Sequence, residues 1–164
     1  AGMAYFDPAK KPEEMIALAW MLEEGACRFY REMGKRQKGP DEASLFRELS
    51  DDEENHKISL FKIYQRRTGE DADPGFARSL LSLESGTDYL EGGVVLNKAL
   101  EWAQNQELRD ILEFAVSLEV NAIDLYIKME RKVEGGEAKK VFQALSNQER
   151  NHLKRLTAGL QKDR

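Results

Sequence analysis

Cysteine is almost absent from this chain of 164 residues, which contains a single one, Cys27. One cysteine excludes an internal disulfide, and without a CxxC pair there is no thiolate cluster for zinc or for a rubredoxin-type iron. The chain also lacks a long apolar stretch near its start, so we expect neither a secretion signal nor a membrane anchor. A reducing cytoplasm is therefore the expected location.

Basic residues are fewer than acidic ones, and few segments have the pattern of a β-strand. Lys and Arg number 25 against 30 Asp and Glu, a formal net charge of -5, so a nucleic-acid partner is not expected. Few β-branched residues are consecutive and period-two alternation is rare, which argues against strands. With only four Pro and a charged share of 34%, the composition favours long amphipathic helices with solvated outer faces.

Apolar residues recur at helical spacing in four long segments. Pro and acidic residues predict helix starts near residues 12 and 40, and Gly predicts helix ends near residues 39 and 69. The other two long helices are expected over about 107–132 and 137–160. Residues 69–93 interrupt the periodicity and are too many for a hairpin loop, although FARSLLSL and residues 94–102 could form short helices. We therefore predict one domain over 1–164, an all-α four-helix bundle with a long crossover between hairpins at about 12–68 and 107–162.

One pattern of metal-binding residues occurs twice. In each copy a Glu is followed 30 residues later by Glu-x-x-His, and the second copy lies 96 residues after the first. The six residues are Glu23, Glu53 and His56, and Glu119, Glu149 and His152. The same displacement matches further pairs, among them Ala19 with Ala115, Tyr30 with Tyr126, Phe46 with Phe142 and Leu60 with Leu156. A duplicated helical hairpin with an approximate two-fold axis explains this repeat.

The spacing places these side chains where they could share metal ions. Residues three apart on a helix are about 60° apart around the axis, so Glu53 and His56 point the same way. Four buried carboxylates would be costly without counter-charge, whereas two divalent cations would make the set formally neutral. A mixed carboxylate and imidazole set suits Fe(II) or Mn(II).

Simpler interpretations apply to several other residues. A lone Glu-x-x-His on a helix is usually part of a solvated face. Glu24 and Glu54 have no acidic counterpart 96 residues on and are expected to be surface charges. We expect a homodimer whose surface could include large aromatic side chains, although ordinary burial explains them equally well. These aromatic residues are Phe6, Trp20, Tyr89 and Trp102.

Three segments carry a resemblance to a known family. The runs EEGACRFY at 23–30, LSDDEENH at 49–56 and SLEVNAIDLY at 117–126 resemble the rubrerythrin branch of the ferritin-like di-iron carboxylate proteins. The resemblance covers roughly 12–68 and 107–162. It implies a ferritin-like bundle, two iron ions per chain with manganese as the alternative metal, and a role in oxidative stress.

The resemblance also implies individual roles. Glu53 and Glu149 would bridge the two metals, and Glu23 and Glu119 would be terminal ligands. His56 and His152 would contribute one imidazole each. Tyr30 and Tyr126, seven residues after the terminal ligands, are the candidate catalytic residues beyond the ligands, since their hydroxyls could donate to nearby carboxylates. Asp52 and Gln148 are candidates to orient the opposite His.

Two departures from the family pattern bear on the reaction. Rubrerythrins proper carry an iron–sulfur module with paired cysteines, and they carry an extra carboxylate one turn after the third-helix ligand, where this chain has Ala122. The expected function is a peroxidase or ferroxidase-type oxidoreductase that oxidises Fe(II) with hydrogen peroxide or dioxygen and receives electrons from an external donor protein. A non-catalytic iron or manganese binding or delivery protein is the alternative. A metal-free structural or sensory bundle is a third hypothesis.

Overall fold

The computed structural model describes residues 11–69, 73, 75–83 and 86–163, and the fold over these ranges is the predicted ferritin-like helical bundle. Residues 1–10, which belong to the predicted domain and include Phe6, lie outside the described ranges. The helices are α1 (Pro12–Arg36), α2 (Pro40–Thr68), α3 (Phe76–Leu81), α4 (Leu96–Ala103), α5 (Leu108–Lys132) and α6 (Gly136–Lys162). Extended pairing in the described part is limited to one isolated antiparallel bridge, between Tyr89 and Val95.

The helix ends follow the local sequence signals. Pro12 and Pro40 occupy the first turns of α1 and α2, where a missing N–H costs nothing, and acidic residues follow each of them at the positive end of the helix dipole. Gly69 ends α2 in the left-handed conformation, with φ of 66°, and its N–H donates to the carbonyl of Gln65. These signals made the boundaries of the long helices predictable to within a few residues.

The long helices pack as two hairpins, α1 with α2 and α5 with α6, and the hairpins meet through α2 and α6. The crossover returns the chain from one hairpin to the other, and its helices α3 and α4 both pack on α1. The repeat is visible in the packing: the rings of Tyr30 and Phe46 stack with centroids 6.2 Å apart at 26°, and those of Tyr126 and Phe142 stack at 6.2 Å and 22°.

Two apolar clusters fill the bundle at different heights. One includes Ile16, Leu60 and Phe142, and the other includes Phe29 and Leu112. The duplicated Glu and His residues lie on the same helices between the sequence positions that build these clusters. A buried polar layer therefore lies between two hydrophobic layers. The two hydrophobic layers restrict access of water to the polar layer from the ends of the bundle.

Aromatic residues considered for a dimer surface have mixed environments. Trp20 is half-buried and packs edge-on against Phe76 with ring centroids 5.7 Å apart, and Tyr89 is half-buried against the core. Trp102 is exposed and lies beside Phe114, with ring centroids 5.1 Å apart. A homodimer stays a prediction. Every helix in the described ranges is too short or too polar to span a membrane.

Candidate metal centre

The bundle brings all six residues of the duplicated pattern into one buried layer. Each of them is at most 3% exposed. They form two overlapping groups in which one ligand atom from every residue lies within 4.8 Å of the others. The first group is Glu23, Glu53, His56 and Glu149, and the second is Glu53, Glu119, Glu149 and His152. The groups share two carboxylates, as a centre for two adjacent ions requires.

The shared carboxylates each face both histidines. Glu53 places Oε2 at 3.2 Å from Nδ1 of His56 and Oε1 at 3.0 Å from Nδ1 of His152. Glu149 places Oε1 at 3.0 Å from Nδ1 of His56 and Oε2 at 2.9 Å from Nδ1 of His152. One oxygen of each carboxylate is thus directed to each half of the site, which is the arrangement of a bridging ligand.

The remaining two carboxylates each belong to one half. Glu23 Oε2 lies 3.2 Å from Nδ1 of His56, and Glu119 Oε1 lies 3.6 Å from Nδ1 of His152. The imidazole rings are nearly parallel, at 17°, with centroids 5.5 Å apart. Glu23 and Glu119 therefore each face one histidine, and their role as terminal ligands stays a prediction.

The two tyrosines cross between the halves of the repeat. Tyr30 donates its hydroxyl to Oε1 of Glu119 at 2.5 Å, and Tyr126 donates to Oε1 of Glu23. Burial and the charge of these carboxylates raise the pKa of both tyrosines, so the hydroxyls stay protonated and remain donors. Spacing predicted that the hydroxyls would reach carboxylates, but not that each would reach the opposite hairpin.

His152 has an acidic partner on the outer side of its ring. Asp52 on α2 places Oδ2 at 3.2 Å from Nε2 of His152, and Arg155 donates to the same Asp52 oxygen at 3.0 Å. His152 is thereby held with Nδ1 toward the carboxylates and Nε2 toward an acid, an arrangement common among metal-bound histidines. The repeat places Gln148, not an acid, at the position equivalent to Asp52. Arg155 has no basic counterpart in the first half of the repeat, so the repeat alone could not identify it as a partner of Asp52.

A cavity of about 230 Å³ opens on the histidine side of the layer. Its lining consists of three pairs related by the 96-residue displacement, namely Asp52 and Gln148, Asn55 and Asn151, and His56 and His152. Because α2 and α6 supply all of these side chains, ions and small polar molecules have a polar route to the layer between these two helices.

Glu91, which the repeat did not single out, is a further buried acid near this layer. It lies in the crossover and is 4% exposed. Its pKa is raised well above the ordinary value by burial, and then by the charges of Glu23, Glu53 and Glu119. Acidic neighbours that act on Glu91 in this way mark it as close to the polar layer.

Burial and mutual repulsion determine where protons reside in the metal-free layer. Burial, reinforced by the charge of Glu23, raises the pKa of Glu53 to about 8. Burial alone would also raise the pKa of Glu23, but the charge of His56, together with hydrogen bonds to Glu53, His56 and Tyr126, lowers that pKa to about 2. Burial alone would lower the pKa of His56, but the charge of Glu23, together with hydrogen bonds to Glu149, Glu23 and Glu53, raises it. Protons therefore supply part of the positive charge that divalent cations would bring.

The donor atoms fit metal ions. Four buried side-chain atoms of the layer lie close to other ligand atoms but make no well-directed hydrogen bond with the described residues, namely Glu53 Oε2, both carboxylate oxygens of Glu149 and Nδ1 of His152. Such atoms are costly to bury unless something coordinates them. Their convergence on one space, with a set of four carboxylates and two imidazoles, is suited to Fe(II) or Mn(II).

We expect the metal-free protein to lose stability as the pH rises from about 6 to 8. Unfolded Glu releases its proton near pH 4.5, whereas folded Glu53 retains it up to about 8, so the folded state binds more protons between these values. One such proton corresponds to a loss of about 1.4 kcal/mol per pH unit. The raised pKa of His56 acts with the same sign, since its stabilisation is complete below 6.5 and declines above it.

Thermal unfolding in the presence of a chelator, measured across this pH range, tests the expectation. Glu53→Gln removes the titrating carboxylate and should flatten the profile. A metal-free wild-type protein whose melting temperature increases from pH 6 to 8 would contradict the assigned proton positions.

A known protein family resembles this chain in sequence, and solved structures resemble it in fold. The sequence profile of the rubrerythrin family matches residues 14–108 and 110–163. A hypothetical protein from Pyrococcus furiosus is similar in structure with a TM-score of 0.67 and 24% identity, covering 92% of this chain and 89% of that one. A second similar structure, from Thermotoga maritima, is described as a ferritin-like diiron-carboxylate protein. It has a TM-score of 0.67 and 22% sequence identity, and the match covers 94% of this chain and 97% of the Thermotoga chain. These two likenesses establish the fold. No curated protein matches the chain in sequence.

Proposed function

This chain belongs to the rubrerythrin family, and from that membership we propose that it is a di-iron oxidoreductase, which couples Fe(II) oxidation to the reduction of hydrogen peroxide or dioxygen. The observation that carries the proposal is the sharing of Glu53 and Glu149 between two buried ligand groups. Two divalent ions would balance the four carboxylates of the layer, and manganese is the alternative metal.

In this proposal the residues have distinct tasks. Glu53 and Glu149 would hold both irons, because each directs one oxygen to each half of the site. Glu23 completes the half with His56, and Glu119 completes the half with His152. When bound, two ferrous ions supply the two electrons that convert hydrogen peroxide, with two protons, into two molecules of water.

The surrounding side chains orient the ligands. Tyr126 donates to Oε1 of Glu23 and leaves Oε2 on the side of His56, so the hydroxyl fixes which oxygen would be available to a metal ion. Asp52 fixes the ring of His152 through Nε2. The polar cavity between α2 and α6 admits a small oxidant, while the apolar clusters above and below the layer exclude bulk water. An external donor protein would return the electrons.

Anaerobic loading with Fe(II), followed by hydrogen peroxide or dioxygen in separate experiments, tests this function. We expect two irons per chain to be oxidised, faster than free Fe(II) under the same conditions. A His56→Ala variant is the control, since it removes one imidazole of the set and should slow the reaction. Comparing the two oxidants identifies the one that the protein uses.

Non-catalytic iron or manganese binding or delivery is the second candidate, and the polar cavity favours it because that route would also allow ions to exchange. Two irons that bind reversibly but are oxidised no faster than free Fe(II) would support this function and contradict the oxidoreductase. Failure of the wild-type protein to bind either metal would contradict both.

A further inference from the structure

We infer that Glu91 is a fifth carboxylate of the metal centre, held by the crossover beside the terminal ligands, where its charge strengthens cation binding without itself being a ligand. The inference rests on the proposed metal centre and adds a residue outside the repeat. Glu91 is not a member of either group of converging ligand atoms, so its action on the ions is through its charge.

The loop that carries Glu91 has a defined conformation. The N–H of Leu90 donates to the carbonyl of Val94 at 2.8 Å, and the N–H of Gly93 donates to that of Leu90 at 2.9 Å. Asp88, buried at the start of the loop, accepts hydrogen bonds from both Arg28 and Arg78. Hydrogen bonds within the loop and ion pairs to α1 and α3 thus fix the backbone on each side of Glu91.

Contacts on two helices place this loop at the height of the terminal ligands. Tyr89 lies with its carbonyl against Gly25 of α1, and a Cβ at Gly25 would be 2.9 Å from the carbonyl carbon of Tyr89. A Cβ at Gly92 would be 2.8 Å from Nδ2 of Asn121 on α5. Gly25 and Asn121 each follow a terminal ligand by two residues. Glu91, between these two contacts in sequence, therefore lies where the loop spans α1 and α5.

The side chain of Glu91 is buried, with one of its two oxygens unpaired within the described part of the chain. It is 4% exposed, and its Oε2 has no hydrogen-bond partner among the described residues. A buried carboxylate oxygen without a partner destabilises the fold. The charges of Glu23, Glu53 and Glu119 all act on Glu91 and raise its pKa after burial, so the environment of this carboxylate is repulsive in the metal-free protein. Bound cations would convert this repulsive environment into an attractive one.

Binding of Mn(II) to the metal-free protein tests the inference without any dependence on turnover. We expect Glu91→Gln, which removes the charge and keeps the shape, to lower Mn(II) affinity by about 10-fold or more while two ions still bind. Glu91→Asp, which keeps the charge, should restore affinity toward the wild-type value. Glu101→Gln is the matched control, because Glu101 is an exposed acid on α4 of the same crossover and its removal changes the net charge equally.

Thermal unfolding of the metal-free protein provides a second measurement. Glu91→Gln should melt at the wild-type temperature or above it, since a buried carboxyl group that repels its acidic neighbours is replaced by a neutral amide of the same shape, whereas loss of a structural residue would lower the melting temperature. Unchanged Mn(II) affinity in Glu91→Gln, with two ions bound to the wild type, would overturn the inference and leave the proposed centre intact. A drop to one ion would also overturn it, by making Glu91 a ligand. A wild type that binds neither Mn(II) nor Fe(II) would overturn both.

Discussion

Glu53→Gln is expected to cost the protein both metal ions, although it changes one atom of one side chain. The two oxygens of Glu53 lie 3.2 and 3.0 Å from Nδ1 of His56 and His152, so one neutral amide weakens both halves of the centre. The amide also removes one of the four negative charges that would balance two divalent ions. Metal analysis after anaerobic reconstitution with Fe(II) and removal of unbound iron should give close to zero ions per chain, against two for the wild type.

A terminal variant and a neighbouring acid are the controls for this result. Glu23→Gln alters only the half that contains His56, so it should retain an ion in the other half. Glu54 is adjacent to Glu53, but its carboxylate is half-exposed and pairs with Lys57 at 2.8 Å, so Glu54→Gln should bind two ions. Retention of one tightly bound ion by Glu53→Gln would refute the bridging assignment.

The repeat explains why so much of the candidate centre could be predicted from sequence. The six residues recur at fixed spacing on helices whose ends have clear Pro and Gly signals, so their common direction follows from helix geometry alone. The bundle then brings the two halves into one layer, because each hairpin buries its apolar face against the other. What the spacing of Tyr30 and Tyr126 could not reveal is the crossing of their hydroxyls between halves, which depends on how the hairpins pack.

Glu91 shows what the repeat could not reveal. The crossover joins the two copies and has no duplicate, so no internal comparison distinguishes Glu91 from the other acids of the segment. Its burial depends on contacts between residues far apart in sequence. Gly25 also reflects these long-range contacts. A glycine within a helix ordinarily lowers the stability of the helix by about 1 kcal/mol relative to alanine. The close approach of the Tyr89 backbone accounts for a residue that helix propensity alone disfavours.

Gly25→Ala should therefore destabilise the protein, although alanine is the better helix former. The added Cβ would overlap the carbonyl oxygen of Tyr89, and because the obstacle is backbone, the loop has to move away from α1. Overpacking of this kind destabilises a protein by about 1–3 kcal/mol. The gain in helix propensity from glycine to alanine is about 1 kcal/mol, so all but the smallest overpacking costs exceed it. A net loss of about 1–2 kcal/mol would lower the melting temperature of a chain of this size by roughly 2–8 °C.

Gly34→Ala provides a matched control on the same helix, because its Cβ would approach the carbonyl oxygen of Ala43 only to 3.4 Å, an ordinary contact. That variant should melt at the wild-type temperature or slightly above it. Movement of the loop in Gly25→Ala would also displace Glu91, so Mn(II) affinity should fall together with stability, whereas Glu91→Gln lowers affinity alone. If Gly25→Ala melted like the wild type and bound Mn(II) equally well, the loop could not rest on α1 at this position, and the placement of Glu91 beside the terminal ligands would fail with it.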